Sequence, residues 1–297
     1  MGNIIGIDIG GTYFRMGLVD LAGKVTRFRK RPVGEVFSGR DPLGELCACL
    51  DEFCPREDVE AIAIGFPATL DARRETVLQA PNVPFMENLP VAAELSRRWR
   101  VPVFLERDVT MALYWDCREY RVPSRGIVCG FYFGTGVGNA ISIDGVPLIG
   151  KNGTAGELGH IPVDGSAAPC GCGNVGCLET LAGGKYLARL REERWRECPM
   201  GELFLRYGQT PELRRFVDRM AMAVATEVNI LDPHTVLVGG GVPAMAGFPR
   251  DYFRERILLH TRKPFPAQSL EILFTEDSED KCVRGAALYA RSRLQTP

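Results

Sequence analysis

A chain of 297 residues is long enough for two domains of ordinary size. With 36 Lys and Arg against 37 Asp and Glu its net charge is −1, so no global field draws it to nucleic acid or an anionic membrane. The 45% hydrophobic share supports a core, yet no run reaches the roughly 18 apolar residues that span a bilayer. The start, Met1-Gly2-Asn3-Ile4-Ile5-Gly6, has no basic segment before an apolar one and no Ser or Thr at position 6, so neither secretion nor myristoylation is expected. The ten cysteines are unevenly clustered, which fits metal binding better than a disulfide framework. A cytoplasmic enzyme or regulator is the expectation.

In chain order, Asn3–Ile9 reads as a strand ending at Asp8-Ile9-Gly10-Gly11-Thr12, and Arg15–Val19 resumes as a second strand after a glycine turn. Asp41–Phe53 has helical spacing, with Asp41 as N-cap and Pro42 in the first turn. Val59–Gly65 is a strand, Leu89–Trp99 an amphipathic helix, Val101–Leu105 a strand and Val109–Arg118 a helix. At Ile127 the opening pattern returns: strand Ile127–Phe133, turn Gly134-Thr135-Gly136-Val137-Gly138, strand Asn139–Ile143, turn Asp144-Gly145. Placing Gly10 over Gly134 also places Asp20 over Asp144, which suggests an internal duplication. A loop-rich stretch over Lys151–Leu178 precedes the longest helix, Glu212–Leu231. Strand His234–Val238 leads into Gly239-Gly240-Gly241, followed by strand Ser269–Phe274 and helix Val283–Arg293. This alternation predicts an α/β fold.

Three glycine turns follow strands, and glycine lets backbone N–H groups converge on an anion. Two such turns at equivalent places in duplicated halves suggest a triphosphate held in a cleft between them. The Walker and Rossmann patterns are absent, since Gly134–Gly138 leads into a strand rather than a helix. His160 with Cys170, Cys172 and Cys177 makes a closed four-ligand zinc set, with glycines that let the loop wrap a metal. Cys47, Cys49 and Cys54 repeat the cysteine spacing without glycines or a nearby histidine, on a helix where residues two apart do not share a face. They read as core residues. Among carboxylates, Asp108 lies where a strand gives way to a helix, as a base or as an N-cap. Glu157 and Glu179 bracket the cysteine loop as candidate carboxylates or as solvated loop charge, and Asp8 ends the first strand as a turn residue or an outer-shell ligand of a cation.

Asp8-Ile9-Gly10-Gly11-Thr12, Glu106-Arg107-Asp108-Val109, Gly134–Gly138, and Gly156-Glu157-Leu158-Gly159-His160 with Cys170, Cys172, Cys177 and Glu179 resemble the ROK family of repressors and sugar kinases, from residue 3 to about 290. Gly65-Phe66-Pro67-Ala68, Pro81-Asn82-Val83-Pro84, Arg107-Asp108-Val109 and Tyr114-Trp115-Asp116 are most similar to its D-allose kinases. The resemblance implies an actin/hexokinase-like, ribonuclease-H-like fold of two α/β domains closing over a cleft. It gives a small domain over 1–118 completed by helix 283–297, and a large domain over 119–282 with its zinc loop at 160–178. It also implies ATP-dependent phosphorylation of a hexose at its 6-hydroxyl. Asp108 would be the base. Gly10, Gly11 and Thr12 with Gly134, Thr135 and Gly136 would hold the phosphates of ATP, Asp8 would position Mg2+ through water, and Gly239 and Gly240 would lie along the nucleoside. Asn82, Arg107, Glu157, His160 and Glu179 would meet the sugar. His160, Cys170, Cys172 and Cys177 would hold structural Zn2+, leaving one imidazole nitrogen for a hydroxyl.

Most kinases of the family carry Asn where this chain has Arg107, which points away from glucose and toward D-allose. The alternative for Arg107 is a surface arginine pairing with an acid such as Glu106. Glucose, fructose or an N-acetylhexosamine are the alternative substrates. A sugar-responsive regulator is the remote alternative, because only seven residues precede Asp8 and no basic stripe stands in for a DNA-binding segment. A homodimer is the expected assembly.

Overall fold

The computed structural model describes residues 2–80, 83 and 85–295. The chain divides into two compact units. Unit 1 holds Met1–Val122, Ile149–Ala155 and Ser278–Pro297, and unit 2 holds Pro123–Leu148 and Gly156–Asp277. The division expected at 118/119 thus falls four residues later, and residues 149–155, assigned by chain order to the second domain, pack with the first.

Unit 1 contains strands β1 (Asn3–Ile9), β2 (Tyr13–Val19), β3 (Val25–Pro32), β4 (Val59–Phe66) and β5 (Val103–Arg107), with helices α1 (Pro42–Asp51), α2 (Val91–Trp99) and α3 (Asp108–Glu119). Unit 2 contains β6 (Ile127–Phe133), β7 (Val137–Ile143), β8 (Val146–Pro147), β9 (Thr235–Gly239) and β10 (Glu271–Phe274), with α4 (Gly184–Arg194), α5 (Pro211–Leu231) and α6 (Arg250–His260). The closing helix α7 (Lys281–Gln295) returns to unit 1. The two five-stranded sheets run β3-β2-β1-β4-β5 and β8-β7-β6-β9-β10, the same order twice, beside a small two-stranded ribbon of Thr69–Leu70 and Val77–Gln79. In each, three antiparallel strands are followed by two parallel ones. That is the ribonuclease-H-like order, and its repetition is the actin/hexokinase-like architecture.

Local chemistry accounts for these elements. In β1, Ile4, Ile5, Ile7 and Ile9 are all fully buried because the strand is covered on both faces. The edge strand β3 carries Arg27, Arg29, Lys30 and Arg31, charges that discourage further strand pairing. Helix α1 starts as its sequence dictates: Asp41 accepts the Gly44 N–H at 3.0 Å and Pro42 occupies the first turn. Cys47, Cys49 and Cys54 are buried in the core beside it, and burial pushes each thiol pKa up.

On the other face of sheet 1, α7 packs with Ile4, Ala61, Ala63 and Met111. Small residues make this possible: a Cβ at Gly6 would lie 2.1 Å from the Val283 carbonyl oxygen. A buried ion pair, Lys281 Nζ to Asp116 Oδ1 at 2.9 Å, fastens the start of α7 to α3. The core of unit 2 gathers Phe131, Phe133, Phe216, Phe253, Val236 and Val238. Within it Asn139 donates to the Gly130 carbonyl at 3.1 Å and to Glu227 Oε1 at 2.9 Å. Burial raises the Glu227 pKa. Among the described residues no helix is long and apolar enough to cross a membrane.

Candidate active site and metal centre

In unit 1 the candidate groups collect at the carboxyl ends of parallel strands, where open α/β sheets bind ligands. Asp8 is next to last in β1, and Asp108 directly follows β5. Between those strands lies β4, whose Gly65 pairs with Asp8 on one side and Glu106 on the other. Asp8 is buried and takes the Arg15 guanidinium at 2.8 Å. The two residues face each other across the β1–β2 hairpin, so its register makes the pair. The turn Gly10-Gly11-Thr12 closes that hairpin, with the Gly10 N–H donating to the Tyr13 carbonyl at 2.9 Å. Gly11 and Thr12 are exposed.

Asp108 is half-buried and is the first residue of α3 rather than its N-cap. The cap position belongs to Arg107, and the Asp108 carboxylate accepts the Val109 N–H at 2.8 Å. The capping alternative for Asp108 is therefore corrected by one residue. Arg107 is also not a surface arginine: only 7% of it is exposed, although it ends an edge strand that pairs with β4 alone in the sheet. The Glu106 carboxylate is engaged by Arg74 and by the Arg107 backbone N–H. Asn82 lies outside the described residues.

In unit 2, Gly134-Thr135-Gly136 closes the β6–β7 hairpin, as Gly10–Thr12 closes β1–β2. Its carbonyls are fixed by the start of α4: Gly184 N–H donates to Gly134 at 2.8 Å and Lys185 N–H to Thr135 at 3.0 Å. Glu179, half-buried, accepts the Val137 N–H at 3.0 Å and opens the short helix Glu179–Ala182. A Cβ at Gly136 would sit 2.0 Å from Glu179 Oε2, so glycine is what lets this carboxylate reach the turn. Glu179 is accordingly not a solvated loop charge, whereas Glu157 is exposed. Gly239 ends β9 and Gly240 follows it, and the Val242 N–H just beyond donates to the Phe133 carbonyl at 2.9 Å.

The ligand atoms of His160, Cys170, Cys172 and Cys177 all lie within 4.8 Å of one another. Cys170 Sγ is 3.6 Å from His160 Nδ1, and Cys172 Sγ is 3.7 Å from Cys177 Sγ. A tetrahedral zinc with bonds of about 2.3 Å to sulfur and 2.0–2.1 Å to nitrogen spaces its ligands by roughly 3.5–3.8 Å. The loop is built locally, with Pro169 paired to Val175 and the Cys170 N–H donating to the Asn174 carbonyl at 2.8 Å. The Asn174 backbone lowers the Cys172 pKa, while burial and the neighbouring thiols push Cys177 up to about 12. A divalent cation would relieve that crowding by holding the thiolates together. His160 Nε2 faces the other way, 3.5 Å from Glu157 Oε2. Sequence reasoning missed Arg15, although the hairpin register places it opposite Asp8, and Arg74, for which no local signal exists.

The ROK family's sequence profile matches residues 4–293. The chain is 27% identical to a glucokinase of Thermotoga maritima, over 98% of each chain. It is 32% identical to an N-acetyl-D-glucosamine kinase of Escherichia coli O157:H7, over 82% of this chain and 84% of the relative. The crystal structure of a ROK family glucokinase from Streptomyces griseus in complex with glucose and AMPPNP superimposes with a TM-score of 0.81 at 28% identity, covering 98% of this chain and all of that one. The chain belongs to the ROK family and is a sugar kinase.

Proposed function

We propose that this kinase transfers the γ-phosphoryl group of ATP to the 6-hydroxyl of a hexose, with D-allose the preferred sugar. The observation that carries the sugar assignment is Arg107, buried and directly before Asp108, where the family resemblance would imply an amide. A pocket that pairs its buried donors with one hydroxyl arrangement rejects another strongly, because the donors would be left unsatisfied.

In this reading Asp108 accepts the proton of the 6-hydroxyl as its oxygen bonds to the γ-phosphorus, and ADP departs. The turns Gly10–Thr12 and Gly134–Gly136 hold the phosphates, and Gly239 and Gly240 lie along the nucleoside. Mg2+ would neutralise phosphate charge. Asp8, already engaged by Arg15, would orient that ion through water. Asn82, Glu157, His160 and Glu179 hold sugar hydroxyls. Zn2+ at His160, Cys170, Cys172 and Cys177 would fix the imidazole so that Nε2 faces the sugar beside Glu157.

The test is ADP release over a hexose panel containing D-allose, D-glucose, D-fructose and N-acetyl-D-glucosamine. The expected kcat/KM for allose exceeds that for glucose by more than about tenfold, which needs only about 1.4 kcal/mol of differential transition-state stabilisation. Equal turnover of allose and glucose refutes the sugar assignment, and no turnover of any hexose refutes the 6-hydroxyl reading.

A further inference from the structure

We infer that Arg74 is a positioning residue for the catalytic strand end, acting through Glu106 on the backbone that carries Arg107 and Asp108. The inference rests on the reading of Asp108 as base. Arg74 lies on the turn between Asp71 and Thr76, where Asp71 Oδ1 accepts the N–H groups of Glu75 at 2.7 Å and Thr76 at 2.9 Å. Its backbone is left-handed, φ 59°, a conformation disfavoured for a side chain of this size. The side chain is nonetheless buried, and its guanidinium is committed in two directions. Nε donates to Glu106 Oε2 at 3.1 Å and Nη2 approaches Glu106 Oε1 at 3.0 Å, the planar fork-to-carboxylate match that only arginine makes. Nη1 donates to the Gly153 carbonyl at 2.9 Å.

Glu106 has no exposed surface, and its Oε1 also accepts the Arg107 N–H at 2.8 Å. One oxygen therefore joins the Arg74 guanidinium to the peptide preceding Asp108. The β4–β5 ladder ends at the Phe66–Arg107 pair, and at that last pair the carboxylate adds a second hold on the chain just before Asp108. The third contact ties in residues 149–155, which belong to unit 1, and Gly153 lies four positions before the sugar-binding candidate Glu157. Arg74 thus fixes the strand end that carries the base and the segment that leads to Glu157.

A purely structural ion pair and a positioning pair predict different variants. A buried pair replaced on both sides by apolar residues of similar size is often neutral or stabilising. Arg74→Met/Glu106→Leu therefore keeps its fold but removes the fork and the acceptor for the Arg107 N–H. Displacement of a reacting group by about 1 Å can cost on the order of a hundredfold in rate. The double variant is expected to lose about ten- to a hundredfold in kcat and to raise KM for the sugar, with KM for ATP unchanged because the Gly10–Thr12 turn is not involved. Arg74→Lys, which keeps the charge but not the fork, should fall between it and wild type in kcat. Thermal melting records folding, and Asp108→Asn is assayed in parallel with the best sugar of the panel. A folded double variant, or Arg74→Lys if the double does not fold, with wild-type kcat and sugar KM overturns the inference. An Asp108→Asn enzyme of undiminished rate overturns instead the reading on which it rests.

Discussion

Gly136→Ala tests, with a single methyl group, whether Glu179 belongs to the proposed sugar site or only to the proposed phosphate turn. The added Cβ would stand 2.0 Å from Glu179 Oε2 and 2.8 Å from its Cδ. The carboxylate is the mobile partner, and it must retreat by at least about 1 Å, which takes any hydrogen bond it makes beyond bonding range. The bond at 3.0 Å from the Val137 N–H is lost at once. If Glu179 also accepts a sugar hydroxyl, that contact goes with it, and hydrogen bonds to charged groups contribute about 1.5–3 kcal/mol. The expected result is a sugar Kd weakened by roughly tenfold to 150-fold. Isothermal titration with the preferred hexose, without nucleotide, reads this directly. Gly134→Ala is the control, because its Cβ would meet nothing within 4 Å. That variant should leave sugar affinity intact and impair only ATP binding. A Gly136→Ala protein whose sugar Kd stays within about twofold of wild type would falsify the placement of Glu179 in the sugar site.

The remaining predictions concern metal, base, selectivity and pH. Protein prepared without added zinc should carry about one equivalent of it, the stoichiometry of one closed four-ligand site, and Cys170→Ser/Cys172→Ser should carry none; metal retained by the double variant removes the assignment. Asp108→Asn should keep measurable sugar and ATP affinity while kcat falls by about 10²–10⁴-fold, and a rate within a few-fold of wild type would reduce Asp108 to a structural role at the start of α3, where it accepts the Val109 N–H. Arg107→Asn should narrow the allose-to-glucose ratio, and an unchanged ratio acquits Arg107 of reading the sugar. Burial raises the Glu227 pKa above its unfolded value of about 4.3, so this carboxyl costs stability increasingly as pH rises past that value. Glu227→Gln, which still offers an acceptor to Asn139, should melt above wild type at pH 8 and lose that advantage near pH 4. A melting difference independent of pH would show that Glu227 does not titrate as its burial demands.

What the sequence determined by itself was local. The strand–turn–strand units at Asn3–Val19 and Ile127–Ile143 were legible because glycine turns and alternating apolar runs depend on neighbours a few residues away. Asp41 and Pro42 set the start of α1 for the same reason, and the cysteine loop is a hairpin whose ligands lie within one short segment. The matching pair of five-stranded sheets then follows from the repeated unit. Tertiary structure alone decided which charges meet. Arg74 reaches Glu106 across 32 positions and Gly153 across 79, and no periodicity encodes such pairings. Burial of Arg107 likewise depended on β5 lying against β4, and residues 149–155 joined unit 1 by packing rather than by chain order. The same cysteine spacing marks a candidate metal loop at Cys170–Cys177 and a core helix at Cys47–Cys54, and the backbone that carries it makes the difference. A side chain's partners at long range are fixed when the whole fold excludes water around them, because a buried charge must then find its counter-charge wherever the chain has brought it.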